Sequence, residues 1–173
     1  MHKLLNFDTE NFKFRVCSFN IEEQEFLNEL KSDINTNKYV KEYYQYIKDT
    51  KESIEKHKHI DRYTLIVYEK SNPIAIVSFF EVGDTLIYSV IIRPIMRGKN
   101  YSNRIKDELF DYIYKNNTDI KCIIGYIESS NVNSLKSVSK TNFDSIEEIY
   151  DPSENKTYYK VTSANPLYNK RSR

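Results

Sequence analysis

The chain has no tryptophan, and its 173 residues include only three glycines, four prolines and two cysteines. Cys17 and Cys122 each lie in a strand-like apolar run, so a disulfide framework is excluded and the pair suits a reducing cytoplasm. The three histidines, His2, His57 and His59, have no ligand-like spacing to either cysteine, and no metal is expected. Net charge is equally scarce: 26 basic residues against 25 acidic leave +1. That removes the electrostatic case for a nucleic-acid or membrane partner. A tyrosine-rich binder of single strands would also need a basic stripe among its aromatics. No run approaches the length of a membrane helix, and the opening Met1–Leu5 turns polar too soon for a secretory signal. Repeats and low-complexity tracts are absent. What remains is 39% hydrophobic and 29% charged, with 15 tyrosines, the composition of a soluble globular chain. Its length suits one domain over residues 1–164, followed by a polar, basic tail (165–173) expected to fray.

The stretch from Leu86 to Asn116 organises the rest. Leu86–Ile92 is an apolar, β-branched run without a polar face, as in an interior strand. Pro94 removes a backbone donor and closes it. From Asn103 to Asn116 the pattern is helical, with Tyr101, Ile105, Leu109, Tyr112 and Ile113 on one face. Between strand and helix sits a short loop carrying Arg97, Gly98 and Lys99. A basic small-residue loop at a helix N-terminus is an anion site, for its amides and the helix dipole favour a phosphate or pyrophosphate. The same residues also suit an ordinary solvated connection.

Phe12–Phe19 alternates as a first strand. Asn20 caps a helix over Ile21–Lys31 whose inner face is Ile21, Phe26, Leu27 and Leu30. Its Glu22, Glu23, Glu25 and Glu29 form a solvated outer face, or one that attracts a cationic acceptor. Asn35–Asn37 breaks the chain before a long helix over Lys38–His57. Tyr63–Tyr68 and Ile74–Phe80 form a hairpin through Ser71-Asn72-Pro73, and the turn Glu81–Asp84 leads into the organising strand. Ile120–Ile127 is a second buried strand, and strand–helix–strand implies a parallel crossover. A short helix over Val132–Thr141 and a hairpin of Phe143–Tyr150 with Thr157–Thr162 complete an α+β reading.

Arg97-Gly98-Lys99-Asn100-Tyr101-Ser102 after Ile92-Arg93-Pro94 resembles the acyl-CoA signature of the GNAT superfamily of N-acyltransferases, Val-x-Pro-x-x-Arg-Gly-x-Gly-x-Gly/Ala. Asn100 and Ser102 stand where the family has Gly. Asn is the best non-Gly residue for a left-handed backbone, and Ser is small and a good helix cap. Further on, Asn131-Val-Asn-Ser134 and Lys140-Thr-Asn142-Phe143 resemble the family's Asn-x-x-Ser/Ala and Lys-x-Gly-Phe, with Asn142 in place of Gly.

The resemblance implies a GNAT-like α/β architecture: a central mixed, mostly antiparallel sheet with a parallel pair splayed around acyl-CoA, flanked by helices. It implies a cytoplasmic N-acetyltransferase that moves an acetyl group from acetyl-CoA to a primary amine of a small molecule or peptide, and it leaves a homodimer open. The amides of Gly98, Lys99, Asn100, Tyr101 and Ser102 would hold the CoA pyrophosphate, with Arg97 and Lys99 supplying charge. Val90, Ile91 and Ile92 would meet the pantetheine and supply an oxyanion donor, and Asn131 and Ser134 would flank the pantetheine arm.

The incoming amine has an ordinary pKa near 10.4 and must lose a proton before it attacks. Glu81 and Glu128, at strand ends, are candidate bases, or plain surface acids. Tyr88 and Tyr126 are candidate acids for the thiolate, or cleft-wall aromatics. Where many members carry a Tyr acid, four residues beyond the Ser, this chain has Val138. That departure keeps an alternative open: a GNAT-fold acyl-CoA-binding or protein-interaction module without turnover.

Overall fold

A computed structural model of the chain describes residues 5–40, 42–56, 62–141 and 143–168. They sort into two compact units. The first takes the residues up to Phe80 together with Val90–Tyr101; the second takes Glu81–Ser89 and the residues from Ser102 on.

In the first unit, β1 (Phe7–Asp8) and β2 (Lys13–Arg15) form an antiparallel hairpin where one longer strand was expected, with Phe7 stacked on Phe14 at 4.5 Å. Helix α1 (Ile21–Ser32) begins as the sequence predicts. The Asn20 side chain accepts from the Glu23 amide at 2.9 Å, and Glu23 Oε2 accepts from the Asn20 amide at 3.0 Å, a reciprocal capping box.

Phe26, Leu27 and Leu30 are buried as expected, but Ile21 is 76% exposed and Glu23 only 2%. Residues two apart lie about 200° apart around a helix, so the inward turn of Glu23 leaves Ile21 facing solvent. The acidic face is therefore not uniformly solvated. Besides the cap, Glu23 accepts from Ser18 Oγ at 2.6 Å and Tyr68 Oη at 2.5 Å, and Glu29 pairs with Arg93 at 2.7 Å.

Residues 35–37, expected to break the chain, lie in a short helix α2 (Ile34–Tyr39) capped by Asp33. Helix α3 (Tyr43–Glu55) starts later than expected and buries Tyr43, Ile47 and Thr50; His57, the expected end, lies outside the described residues. Thr50 Oγ1 accepts from the Thr64 amide at 3.0 Å, which fastens α3 to the next strand.

That strand, β3 (Arg62–Glu69), pairs antiparallel with β4 (Asn72–Val82). The turn is Lys70–Ser71, with Lys70 at φ +57°, so Asn72 and Pro73 already belong to β4. One apolar cluster gathers α1, α3, β3 and β4 around Phe26, Leu30, Ile47, Ile66 and Ile76, and Ile91 from the next strand joins it. Burying each of these side chains is worth about 1.5–3 kcal/mol.

That next strand, β5 (Thr85–Ile92), starts after a turn at Gly83 (φ +63°). In the second unit its first residues pair in parallel with β6 (Cys122–Glu128): Thr85 with Cys122, Leu86 with Ile123, Ile87 with Ile124. The crossover is α4 (Tyr101–Asn116), which begins two residues before the expected Asn103 and buries Ile105, Leu109 and Ile113. Phe110 meets Tyr88 edge-on at 5.1 Å.

Helix α5 (Val132–Val138) is followed by β7 (Ser145–Asp151) and β8 (Lys156–Ala164); β8 pairs antiparallel with both β6 and β7. The result is a mixed eight-stranded sheet, ordered β1-β2-β3-β4-β5-β6-β8-β7, with helices flanking it.

Of the tail expected to fray, residues 165–168 are tied down. Asn165 is buried, donates its amide to the Lys121 carbonyl at 2.8 Å and its Nδ2 to the Ile120 carbonyl at 2.7 Å. Tyr168 Oη donates to Asp84 at 3.0 Å. Residues 169–173 lie outside the described residues.

Candidate functional site

The connection between β5 and α4 is built residue by residue to hold one shape. Arg93 ends the strand by donating its amide to the Ile74 carbonyl at 2.9 Å, while its side chain reaches Glu29 and lies over the Phe26 ring at 5.7 Å. Pro94–Met96 then makes one 3₁₀ turn, closed by the Arg97 amide on the Pro94 carbonyl at 3.2 Å.

Two residues of the following loop adopt the left-handed backbone, Gly98 at φ +75° and Asn100 at φ +63°. The sequence expectation for Asn100 is met: Asn is the residue that takes this conformation most readily after Gly. Gly98, Lys99 and Asn100 are exposed, and a Cβ placed on Gly98 would meet nothing within 4 Å. Left-handed turns feeding a helix N-terminus make an anion-binding concavity. The open space over Gly98 lets a phosphate approach the backbone, so the residues present fit a pyrophosphate.

The loop is pinned at both ends. Arg97 donates Nη2 to Asp33 Oδ2 and to Thr36 Oγ1, each at 2.8 Å, and Nε to the Ile92 carbonyl at 3.1 Å. The guanidinium holds the Asp33 carboxyl down at about 2, against the opposing effect of burial. Tyr101, the first residue of α4, donates its hydroxyl to Glu69 at 2.6 Å and meets Phe12 edge-on at 6.4 Å. Ser102, read as a cap, lies inside the first helical turn.

Val90, Ile91 and Ile92 end β5 in the first unit, with Ile91 buried and the other two half-buried, while the candidate bases and acids, Asn131 and Ser134 belong to the second. Glu81 is half-buried and is the next-to-last residue of β4 rather than part of a turn. Glu128 ends β6, where its carboxylate accepts from Ser130 Oγ and from Lys156 Nζ, the latter at 2.9 Å. Tyr126 is 49% exposed. Gly125 beside it admits no side chain easily, since a Cβ there would come within 3.1 Å of Val161.

Burial pushes the Tyr88 phenol well above its ordinary range; its hydroxyl is out of solvent although the residue as a whole is half-buried. Asn131 caps α5 by accepting from the Ser134 amide at 3.2 Å. Val138 is half-buried at the end of α5.

Two arrangements are missing from the sequence reading. Ser137 Oγ donates to the buried Asn103 Oδ1 at 3.0 Å, joining α5 to the first turns of α4. Asp33 and Thr36 hold Arg97 from 64 and 61 residues away. The motif Asp33-Ile-Asn-Thr36 carries an N-cap signal that could have revealed α2, but nothing local announces the partner. Among the described residues no cluster of His, Cys, Asp and Glu could hold a metal ion, and no helix is long and apolar enough to cross a membrane. All three histidines lie outside those residues.

No protein-family model and no curated protein sequence matches the chain. Solved structures do. A spermidine N-acetyltransferase, a SpeG chimera from Vibrio cholerae and hSSAT, superposes with a TM-score of 0.68 at 16% identity, over 94% of this chain and 100% of that one. A GNAT-family acetyltransferase from Bacillus anthracis gives 0.68 at 17% identity, over 93% and 99%. The microcin C7 self-immunity acetyltransferase MccE, solved with acetyl-CoA and AMP, gives 0.67 at 11% identity, over 90% and 93%. The chain therefore has the GNAT fold.

Proposed function

We propose that this chain is a cytoplasmic N-acetyltransferase that moves an acetyl group from acetyl-CoA to a primary amine of a small molecule or peptide. The observation that carries the reading is the loop at the N-terminus of α4, left-handed at Gly98 and Asn100 and open above Gly98. It lies at the position of the acyl-CoA signature in a chain with the GNAT fold. The neighbouring structures named as acetyltransferases, one of them solved with acetyl-CoA, support it.

Acetyl-CoA supplies the activated acetyl thioester. In this reading the amides of residues 98–102 hold its pyrophosphate, Lys99 adds charge from the exposed loop, and Arg97 holds the loop in shape. The strand amides of Val90, Ile91 and Ile92 serve the pantetheine, one of them as the oxyanion donor; Asn131 and Ser134 serve the same arm. Glu81 takes the proton that the incoming amine must lose, directly or through water. Glu81 is preferred over Glu128 because the Glu128 carboxylate already accepts from Lys156 and Ser130. Tyr126, half exposed on β6, is the proposed proton donor to the departing sulfur. Val138 in place of the usual Tyr is tolerable there, since a thiol of ordinary pKa about 8.5 leaves largely as thiolate.

The experiment is calorimetric titration with acetyl-CoA, followed by steady-state CoA release against a panel of amines. Binding with amine-dependent release supports the proposal. Binding without release for any amine leaves an acyl-CoA-binding module, and absence of binding removes the reading altogether.

A further inference from the structure

Asp33 occupies three roles at once in the first unit. Its amide donates to the Leu30 carbonyl at 3.2 Å and ends α1. Its carboxylate accepts from the Thr36 amide at 2.6 Å and starts α2. The same oxygen, Oδ2, accepts from Arg97 Nη2 at 2.8 Å, and Thr36 Oγ1 accepts from that nitrogen as well. The Asn37 side chain donates to the Asp33 carbonyl at 3.0 Å, so the corner itself is braced.

Three of the five N–H bonds of the guanidinium are thus committed within the protein, counting Nε on the Ile92 carbonyl. The Asp33 side chain is 16% exposed and that of Arg97 34%, so solvent screens the pair only partly. An arginine committed in this way contributes direction more than free charge. It stands immediately before Gly98, and Tyr101 on Glu69 fixes the far end of the same loop.

We infer that Asp33 is a positioning residue for acetyl-CoA: through Arg97 it sets the loop of residues 98–101, so that the backbone amides are aimed before the cofactor arrives. The inference rests on the acetyl-CoA reading above. Preorganising a binding loop improves affinity by removing an ordering cost from the association step. Fixing the loop from the corner between α1 and α2 ties its shape to the packing of those two helices.

The test is calorimetric titration with acetyl-CoA and no amine, so the readout is independent of turnover. Asp33→Asn keeps a side-chain oxygen for the Thr36 amide, but it removes the charge and turns a donor toward the guanidinium. We expect circular dichroism like that of the wild type and a dissociation constant raised about tenfold, a loss of about 1.4 kcal/mol. Arg97→Gln should lose a similar amount. The double variant should lose no more than the larger single loss, because both changes cut one link.

Losses that add in the double variant would assign Asp33 an independent structural role and overturn the inference. Unchanged affinity in a folded Asp33→Asn protein would do the same while leaving the acetyl-CoA reading intact. A wild type that fails to bind acetyl-CoA overturns that reading, and the inference with it. If Asp33→Asn does not fold, Thr36→Val takes its place: it removes one acceptor of the same Arg97 nitrogen at nearly constant volume. A rise of about threefold in the dissociation constant is expected, and no rise overturns the inference.

Discussion

Replacing Gly98 separates the cost of a strained backbone from the cost of a blocked ligand. Gly98 sits at φ +75°, where an L-residue costs roughly 1–2 kcal/mol and a β-branched one more. Nothing within 4 Å would meet an added Cβ, so the folded protein itself adds no clash. Gly98→Ala should therefore lower stability by about 1–2 kcal/mol, or about 2–8 °C in melting temperature for a chain of this size. Gly98→Val should lose about 2 kcal/mol or slightly more and still fold. The ligand is affected differently, because the added carbons occupy the space through which the pyrophosphate must approach. The acetyl-CoA dissociation constant of Gly98→Val should rise more than tenfold, above about 1.4 kcal/mol. Asn100→Gly is the control: glycine takes φ +63° without strain, so affinity should stay near that of the wild type. Thermal melts followed by circular dichroism give the stability column, and calorimetry gives the affinity column. A folded Gly98→Val protein that binds acetyl-CoA as the wild type does would remove this loop from the site.

Glu23→Gln should cost about 2–3 kcal/mol, since several charge-assisted hydrogen bonds to a buried carboxylate become neutral ones; urea unfolding should show its midpoint about 1–1.5 M lower. Burial raises the Glu23 pKa, but hydrogen bonds from Ser18, Tyr68 and Asn20 outweigh it and leave it below the ordinary 4.5. A lowered folded pKa gives stability that is present above the unfolded value and lost as pH falls through the folded one. The gap between wild type and Glu23→Gln should therefore close progressively below pH 4.5, and a constant gap would refute the assignment. Glu81→Gln should depress turnover on the order of 10²–10⁴-fold and erase the acidic limb of the rate profile, without loosening acetyl-CoA; Glu128→Gln should keep both, and the reverse pattern would exchange their roles. Burial pushes the Cys17 thiol up to about 12, so at pH 8 a thiol reagent should modify the half-buried Cys122 and spare Cys17 in the native protein, as peptide mapping would show.

Features that one segment decides alone were legible in the sequence. Asn20 before an apolar period, the apolar run of β5, the periodic face of α4 and the left-handed suitability of Asn100 all depend on neighbours within a few residues. Asn131 as a cap lay within the same local reach but was not read, since the resemblance placed it only beside the pantetheine arm. What was misread depends on distant partners. Glu23 was read as a solvated acid; beside its local partners Ser18 and Asn20 it accepts from Tyr68, 45 residues away, which no local pattern announces. The brace on Arg97 was likewise unseen, because its partners Asp33 and Thr36 lie 64 and 61 residues away. Asn165 begins a polar tail by composition, yet the carbonyls of Ile120 and Lys121 bind it. Side chains this versatile announce that they will pair without announcing with what. The site was therefore readable as a loop and unreadable as a braced loop.

The interleaving of the two units also bears on how the protein is made. A nascent chain that has reached Phe80 carries α1, α3 and the hairpin of β3 and β4, but it lacks Ile91 from their apolar cluster. It lacks as well the Arg93 amide for Ile74 and the Arg97 guanidinium for Asp33. At roughly 5–20 residues per second, synthesis takes about 1–4 s to supply the missing stretch. For that interval apolar surface on Ile66 and Ile76 awaits a partner from a segment not yet translated, a natural place for chaperone engagement. Expressing the chain only as far as Phe80 would make the interval permanent. The residues that complete its packing are the ones that lead into the loop at Gly98.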